Sequence, residues 1–211
     1  MKTMKPKESE AVQTVDVTDL ILHDIQTGVL APGSWLKQID LERRYSCGRP
    51  DVRRALDRLT QKRIVEHVPN RGYHVFEPDG DRARQVSEIR ILLETGVAEK
   101  IVENATADAV AELRQLADRF DSVILNGTTI DLYEANLAFH HTLLSLCGNV
   151  ELVNLIAEIR QRTSSAPVSQ WITRARIQQS SLEHYEMVDA IAMKDVEKLK
   201  SVTVRHIRQI S

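Results

Sequence analysis

The sequence predicts a mainly α protein in two parts: an N-terminal winged helix-turn-helix and a C-terminal all-α helical bundle. Three observations carry that prediction. Five of the six prolines (Pro6, Pro32, Pro50, Pro69, Pro78) precede residue 79, so the first third is punctuated and the rest is free to run in long helices. Beyond Arg82, apolar residues recur at three- and four-residue spacing, the period of a helix with one buried face. Charge divides the same way: residues 43–71 hold nine basic and three acidic side chains, whereas residues 79–211 hold 15 basic and 19 acidic. The overall net charge of −2 hides a basic front module and an acidic rear one, and that asymmetry points to nucleic acid.

The elements follow in order. Residues 1–14 are polar and aperiodic, the composition of a disordered tail. Val17 to Thr27 has apolar residues at 17, 20, 21 and 25, with Gly28 placed to end the helix. Pro32-Gly33 is a turn, and Ile39 and Leu41 mark a short second helix ending near Tyr45. After the tight connection Ser46-Cys47-Gly48-Arg49, a third helix carries Pro50 in its first turn, where a missing N–H costs nothing. Val52, Ala55, Leu56 and Leu59 share one face of it, and Arg49, Arg53, Arg54 and Arg58 project elsewhere. Two short helices joined this tightly make a helix-turn-helix. Ile64–Val68 and Tyr73–Phe76 read as strands around Pro69-Asn70-Arg71-Gly72, a hairpin that forms a wing.

The segment 77–81 has the composition of a linker, which puts a DNA-binding domain at 15–78 and a second domain at 79–211. In the latter, Ile89, Leu92, Leu93, Val97 and Ile101, then Val110, Leu113, Leu116 and Phe120, read as core positions. Breaks at Asn126-Gly127 and Gly148-Asn149 separate further helices over 132–146, 150–159, 172–193 and 196–210. Two cysteines a hundred positions apart, Cys47 and Cys147, make neither a disulfide framework nor a zinc ribbon and suit a reducing compartment. No run approaches the length of a membrane span, so a cytoplasmic protein without a membrane partner is expected.

Within the bundle, Asn136 and His140 lie at i and i+4 on one helical face, His184 falls in the next-to-last helix, and His206 in the last. Three imidazoles from separate helices and an oxygen donor suit Zn²⁺, with Ni²⁺ or Mn²⁺ as alternatives. The same pattern also arises from hydrogen-bonded core histidines. His141 faces about 100° away from His140 and is read as non-ligating. Arg90 could pair with an effector carboxylate, or with Glu94 at i+4. Cys147 and Trp171 read as packing residues.

The stretch from Gly28 to Val75 resembles the winged helix-turn-helix of GntR-family transcription regulators. Gly28, Leu30, Pro32, Gly33 and Leu36 match its opening, Arg49, Val52, Arg53, Ala55 and Leu56 its recognition helix, and Arg71, Gly72 and Val75 its wing. The sequence departs from the family pattern at three places: Gly48 replaces Ser, Asp51 takes the place of the proline (Pro50 sits one position early), and Arg54 replaces Glu. Residues 90–206 resemble the FCD ligand-binding domain of the FadR type. Arg90-Ile-Leu-Leu-Glu94 matches its opening, Asn136-Leu-Ala-Phe139-His140 with Gly148-Asn149 its centre, and Glu183-His184, Asp195 and His206 its end. In metal-binding members an Asp and three His are the ligands, which map to Asn136, His140, His184 and His206, with Asn in place of Asp.

The resemblance implies a homodimer on a pseudo-palindromic double-stranded DNA operator. Arg49 and Arg53 would read guanine edges, and Arg54, Arg58, Arg43 or Arg44 would hold phosphates. Arg71, beside Gly72, would reach the minor groove or a phosphate. A small organic acid, bound with the divalent metal, would modulate operator affinity. Two other functions remain at this level. A metal-dependent hydrolase could use the His cluster to activate water, although no H-E-x-x-H and no evident general base accompany it. Alternatively the bundle only dimerises.

Overall fold

The computed structural model describes residues 16–77, 80–162 and 174–208. The proposed tail at 1–14, Pro78 and Asp79 of the linker, Pro167 and Trp171 lie outside the described residues.

Helix α1 (Val17–Gln26) begins at Asp16, whose carboxylate accepts from Thr18 N, and ends at Thr27 with Gly28 in the left-handed conformation (φ 78°) just beyond. A two-residue strand β1 (Trp35–Leu36) precedes α2 (Gln38–Tyr45) and α3 (Arg49–Gln61). Ser46 (φ 50°) turns the chain between the two helices, and Gly48 is the N-cap of α3, which therefore has no side-chain cap. Strands β2 (Val65–Val68) and β3 (Gly72–Val75) close the module, and the antiparallel sheet has the order β1-β3-β2. Sequence periodicity missed β1, since two residues cannot show an alternation. It is held by register instead: Trp35 faces His74 and Leu36 faces Tyr73. The core joins Ile21 and Ile25 of α1, Leu41 of α2, the predicted face of α3 (Val52, Ala55, Leu56, Leu59), and Leu36, Val65, Tyr73 and Val75 of the sheet.

The second part is helical throughout: α4 (Gly80–Gly96), α5 (Ala98–Asn104), α6 (Ala107–Asn126), α7 (Thr129–Ser145), α8 (Val150–Arg162), then α9 (Arg174–Ala192) and α10 (Val196–Arg208). Helix α4 begins inside the segment read as a linker. Thr106 caps α6, and Thr128 with Asp131 forms a full capping box on α7. The break after α6 requires glycine: a Cβ at Gly127 would lie 2.6 Å from the Val123 carbonyl oxygen. The apolar run 89–101 is not one continuous core stripe. The chain bends at Val97, between α4 and α5, and Leu92 (73% exposed) and Ile89 (45%) face outward, while Leu93 packs inward and Ile101 is fully buried. Helices α6, α7 and α9 pack side by side, α10 lies on α4 and α9, and Cys147 is buried in the same core. No described helix is long and apolar enough to cross a membrane.

Candidate functional site

Three of the four candidate metal ligands, the histidines, converge. His140 comes from α7, His184 from α9 and His206 from α10, and all three imidazoles are buried. His140 Nε2 lies 3.0 Å from His206 Nε2 and 3.3 Å from His184 Nε2, and a ligating nitrogen of each falls within 4.8 Å of the others. Asn136 is buried one turn before His140 on the same face of α7, and His141 is exposed.

The arrangement fits a cation better than it fits three neutral imidazoles. Two facing ring nitrogens satisfy each other only if one donates and one accepts, and three that face a common point cannot all be satisfied. Three deprotonated Nε2 atoms around a metal can. Metal–nitrogen bonds of about 2.05 Å imply nitrogen separations of about 3.3 Å in a tetrahedron and about 2.9 Å at right angles. The 3.0 and 3.3 Å spacings from His140 to its two neighbours fall in that range. Burial, then the Arg160 guanidinium and the other two imidazoles, pushes the His140 pKa well below the usual histidine value. Burial does the same to His184. His206 is lowered by burial too, although the Glu183 carboxylate opposes this.

The sequence reading missed Glu183. It adjoins His184 in the chain and contacts another member of the cluster, placing Oε2 2.8 Å from His206 Nδ1. Arg176 grips the same carboxylate at 2.9 and 3.2 Å, and burial notwithstanding, His206 and Arg176 bring its pKa down to about 2. A carboxylate on Nδ1 fixes the tautomer that presents Nε2 to the centre. Its lone pairs are thereby engaged, so it is poorly placed as a general base for water. The E-H pair in the sequence was the available signal. Phe139 stacks on the His184 ring (centroids 4.1 Å, planes 21° apart) and Phe120 meets it edge-on, which locks its orientation, while His184 Nδ1 is buried with no hydrogen-bond partner among the described residues.

Arg90 forms the i+4 pair: its Nε donates to Glu94 Oε1 at 2.8 Å, with Arg160 3.3 Å from the other oxygen. Burial pushes the Glu94 carboxyl up, but the two guanidiniums outweigh it and hold it below the ordinary range. Glu94 and His140 also line a small cavity beside Leu143, Met187 and Thr203.

At the other end, the seven arginines expected on DNA are all exposed, but they are not equivalent. Arg44 pairs with Asp24 (2.5 Å), Arg58 with Asp16 (2.7 Å), and Arg54 with Asp51 one turn away. Asp16 caps α1 and Asp24 lies in it, so both acids come from outside the basic segment counted in the sequence. Arg49 rests on Gln38 (3.2 Å), and Arg53 on α3 and Arg43 on α2 are exposed. Arg71 lies over the Trp35 ring at the wing, followed by Gly72 at φ 102°.

A helix-turn-helix module with a β wing, joined to a helical domain built around a histidine cluster, is the architecture of a bacterial transcription regulator. The chain belongs to the GntR family and carries an FCD domain: the model for bacterial regulatory proteins of the gntR family matches residues 13–75, and the FCD domain matches residues 85–209. It is 24% identical over 180 residues to the Nta operon transcriptional regulator of Aminobacter aminovorans, covering 84% of this chain and 83% of that one. It is 20% identical over 192 residues to the HTH-type transcriptional repressor RspR of Escherichia coli K12, covering 91% and 84%. The solved structure of E. coli McbR/YncC superposes with a TM-score of 0.79 at 22% identity, over 92% of each chain. The chain is thus a DNA-binding transcription regulator. These relatives are regulators, not enzymes, and nothing among them supports the hydrolase.

Proposed function

We propose that the chain is a cytoplasmic, homodimeric regulator in which residues 15–78 bind a pseudo-palindromic operator and residues 79–211 sense a small organic acid through a divalent metal. Arg49 and Arg53 on α3 read base edges; Arg43, Arg44, Arg54 and Arg58 add phosphate contacts as their acid partners permit; Arg71 and Gly72 form the wing contact. His140, His184, His206 and Asn136 hold the metal, Zn²⁺ first, with Ni²⁺ or Mn²⁺ also compatible with the donors. The metal supplies a Lewis-acid seat for a carboxylate. Arg90 gives Glu94 only its Nε, which leaves the terminal fork of the guanidinium for an acid. Leu92 and Ile89, outward on α4, support a second copy as partner.

The observation that carries this reading is the convergence of three buried Nε2 atoms from three helices on one point. Elemental analysis of protein purified without chelator tests it. About one equivalent of metal per chain is expected, falling to near zero in His184→Ala; equal metal in both removes His184 from the site. DNA binding is tested by anisotropy on the duplex upstream of the chain's own gene. Six phosphate contacts would reduce affinity about a thousandfold between 50 and 200 mM salt, and a flat response would refute the α3 interface.

A further inference from the structure

Trp35 occupies an unusual place. It sits on a two-residue edge strand whose other residue, Leu36, already supplies the core contact at 5% exposure. Leu36 pairs with Tyr73, which is buried, so their neighbours Trp35 and His74 lie on the opposite, outer face of the wing. The Trp35 indole remains 42% exposed. A large aromatic in that position contributes little to folding, and its exposure calls for another explanation.

Its neighbour supplies one. The Arg71 guanidinium carbon lies 4.8 Å from the indole centroid. Asn70 (φ 64°) and Gly72 (φ 102°) form the turn that brings Arg71 back over this face. The imidazole of His74 also lies 5.1 Å from the indole, tilted by 56°, while Glu66, paired across from His74 on the same face, is 3.5 Å from His74 Nε2. Arg44, Arg54 and Arg58 are each tied to an acid, whereas Arg71 has no carboxylate partner among the described residues. An aromatic face orients a guanidinium without consuming any of its in-plane donors, which an acid would do.

We propose that Trp35 is the positioning residue for the wing arginine: its indole holds Arg71 flat, with the N–H edge open to a DNA phosphate. This rests on the wing contact proposed above. Stacking removes rotamer freedom from a long side chain before DNA arrives, so binding loses less entropy. A phosphate rather than a base edge is the partner favoured by a charge held at the wing tip with its donors in one plane.

The test uses the full chain and a random-sequence duplex of about 30 base pairs, with anisotropy measured over a salt series. Trp35→Ala is expected to weaken binding about two- to fivefold, the worth of an exposed cation–π contact. Arg71→Ala should weaken it at least as much and lower the salt slope by about one. The double variant should bind no worse than Arg71→Ala alone, and Trp35→Phe, which keeps an aromatic face, should stay within about twofold of the parent. A Trp35→Ala loss that persists in full without Arg71 overturns the proposal, as does parental binding by Trp35→Ala where Arg71→Ala is weakened. If Trp35→Ala fails to fold, the Phe variant and its cycle with Arg71→Ala decide. Arg49→Ala separates the two levels: its loss of binding beside an inert Arg71→Ala overturns the wing contact alone, and parental binding by both overturns the DNA interface.

Discussion

In the proposed site, Asn136 would set how tightly the histidine triad holds a cation. An amide oxygen can coordinate but brings no charge, so with three neutral imidazoles a bound metal would keep both its positive charges and favour an effector that contributes a carboxylate. Asn136→Asp is expected to raise Zn²⁺ affinity by at least about tenfold in competition against a chromophoric chelator. It should also reduce the response to small organic acids, because the site then supplies its own anion. An unchanged affinity would place residue 136 outside the metal's reach. A second residue-scale balance lies at the start of α3. Asp51 suits the helix dipole and pairs with Arg54, but it stands where phosphate is expected. The two departures from the family pattern therefore compensate each other. Asp51→Asn should release Arg54, tightening binding to non-specific duplex about two- to fivefold with a steeper salt slope, while costing about 0.3–1 kcal/mol of stability at the helix N-terminus. Weaker DNA binding in this variant would show that Asp51 positions Arg54 rather than restraining it.

At the scale of elements, α7, α9 and α10 converge on buried groups that titrate differently from the unfolded chain, and this fixes the pH response. The folded-state pKa values of His140, His184 and His206 are all lowered, chiefly by burial, so the unfolded chain takes up protons first as pH falls. Their contribution is complete above the unfolded histidine pKa of about 6.5 and is lost below it, at up to about 1.4 kcal/mol per pH unit for each histidine. Glu94 and Glu183 are also depressed, so their contribution holds above about pH 4.5 and fades as pH falls toward the Glu183 value of about 2. Urea melts of chelator-treated protein should therefore show stability falling in two stages on acidification, and a flat profile from pH 7 to 5.5 would mean the triad is protonated in the native state. The same elements show what a sequence can and cannot disclose. The face of α3, the Gly28 stop and the shared buried face of Asn136 and His140 on α7 were legible because each is a local pattern of period or conformation. Strand β1 was not, since it exists only through its pairing with β3. Nor were the contacts of Glu183 with His206 or of Asp16 with Arg58, which join residues 23 and 42 positions apart. Leu92 fits the helical period but points outward, because periodicity gives the face of a helix and not what covers it.

At the scale of the whole molecule, the apolar clusters of the two modules share no residue: one is built from α1–α3 and the sheet, the other from α5–α10 with Leu93 of α4 packed against it. A metal bound by α7, α9 and α10 would therefore stabilise only the second cluster directly, and any effect on the first would pass through the segment between them or, in the proposed dimer, through the partner protomer. Calorimetry tests this separation. Two unfolding transitions are expected, and Zn²⁺ at about 100 times its dissociation constant should stabilise only the rear one, by about 2.7 kcal/mol. His184→Ala should remove that shift and leave the front transition unchanged. If both transitions moved together with metal, the modules would share an interface able to carry the signal by packing, and control of DNA binding would not require the two DNA-reading heads of a dimer to be re-spaced. A shift confined to the rear module leaves re-spacing as the physical route, because a ligand with no differential contact to the α3 face can change operator affinity only by changing where that face is held.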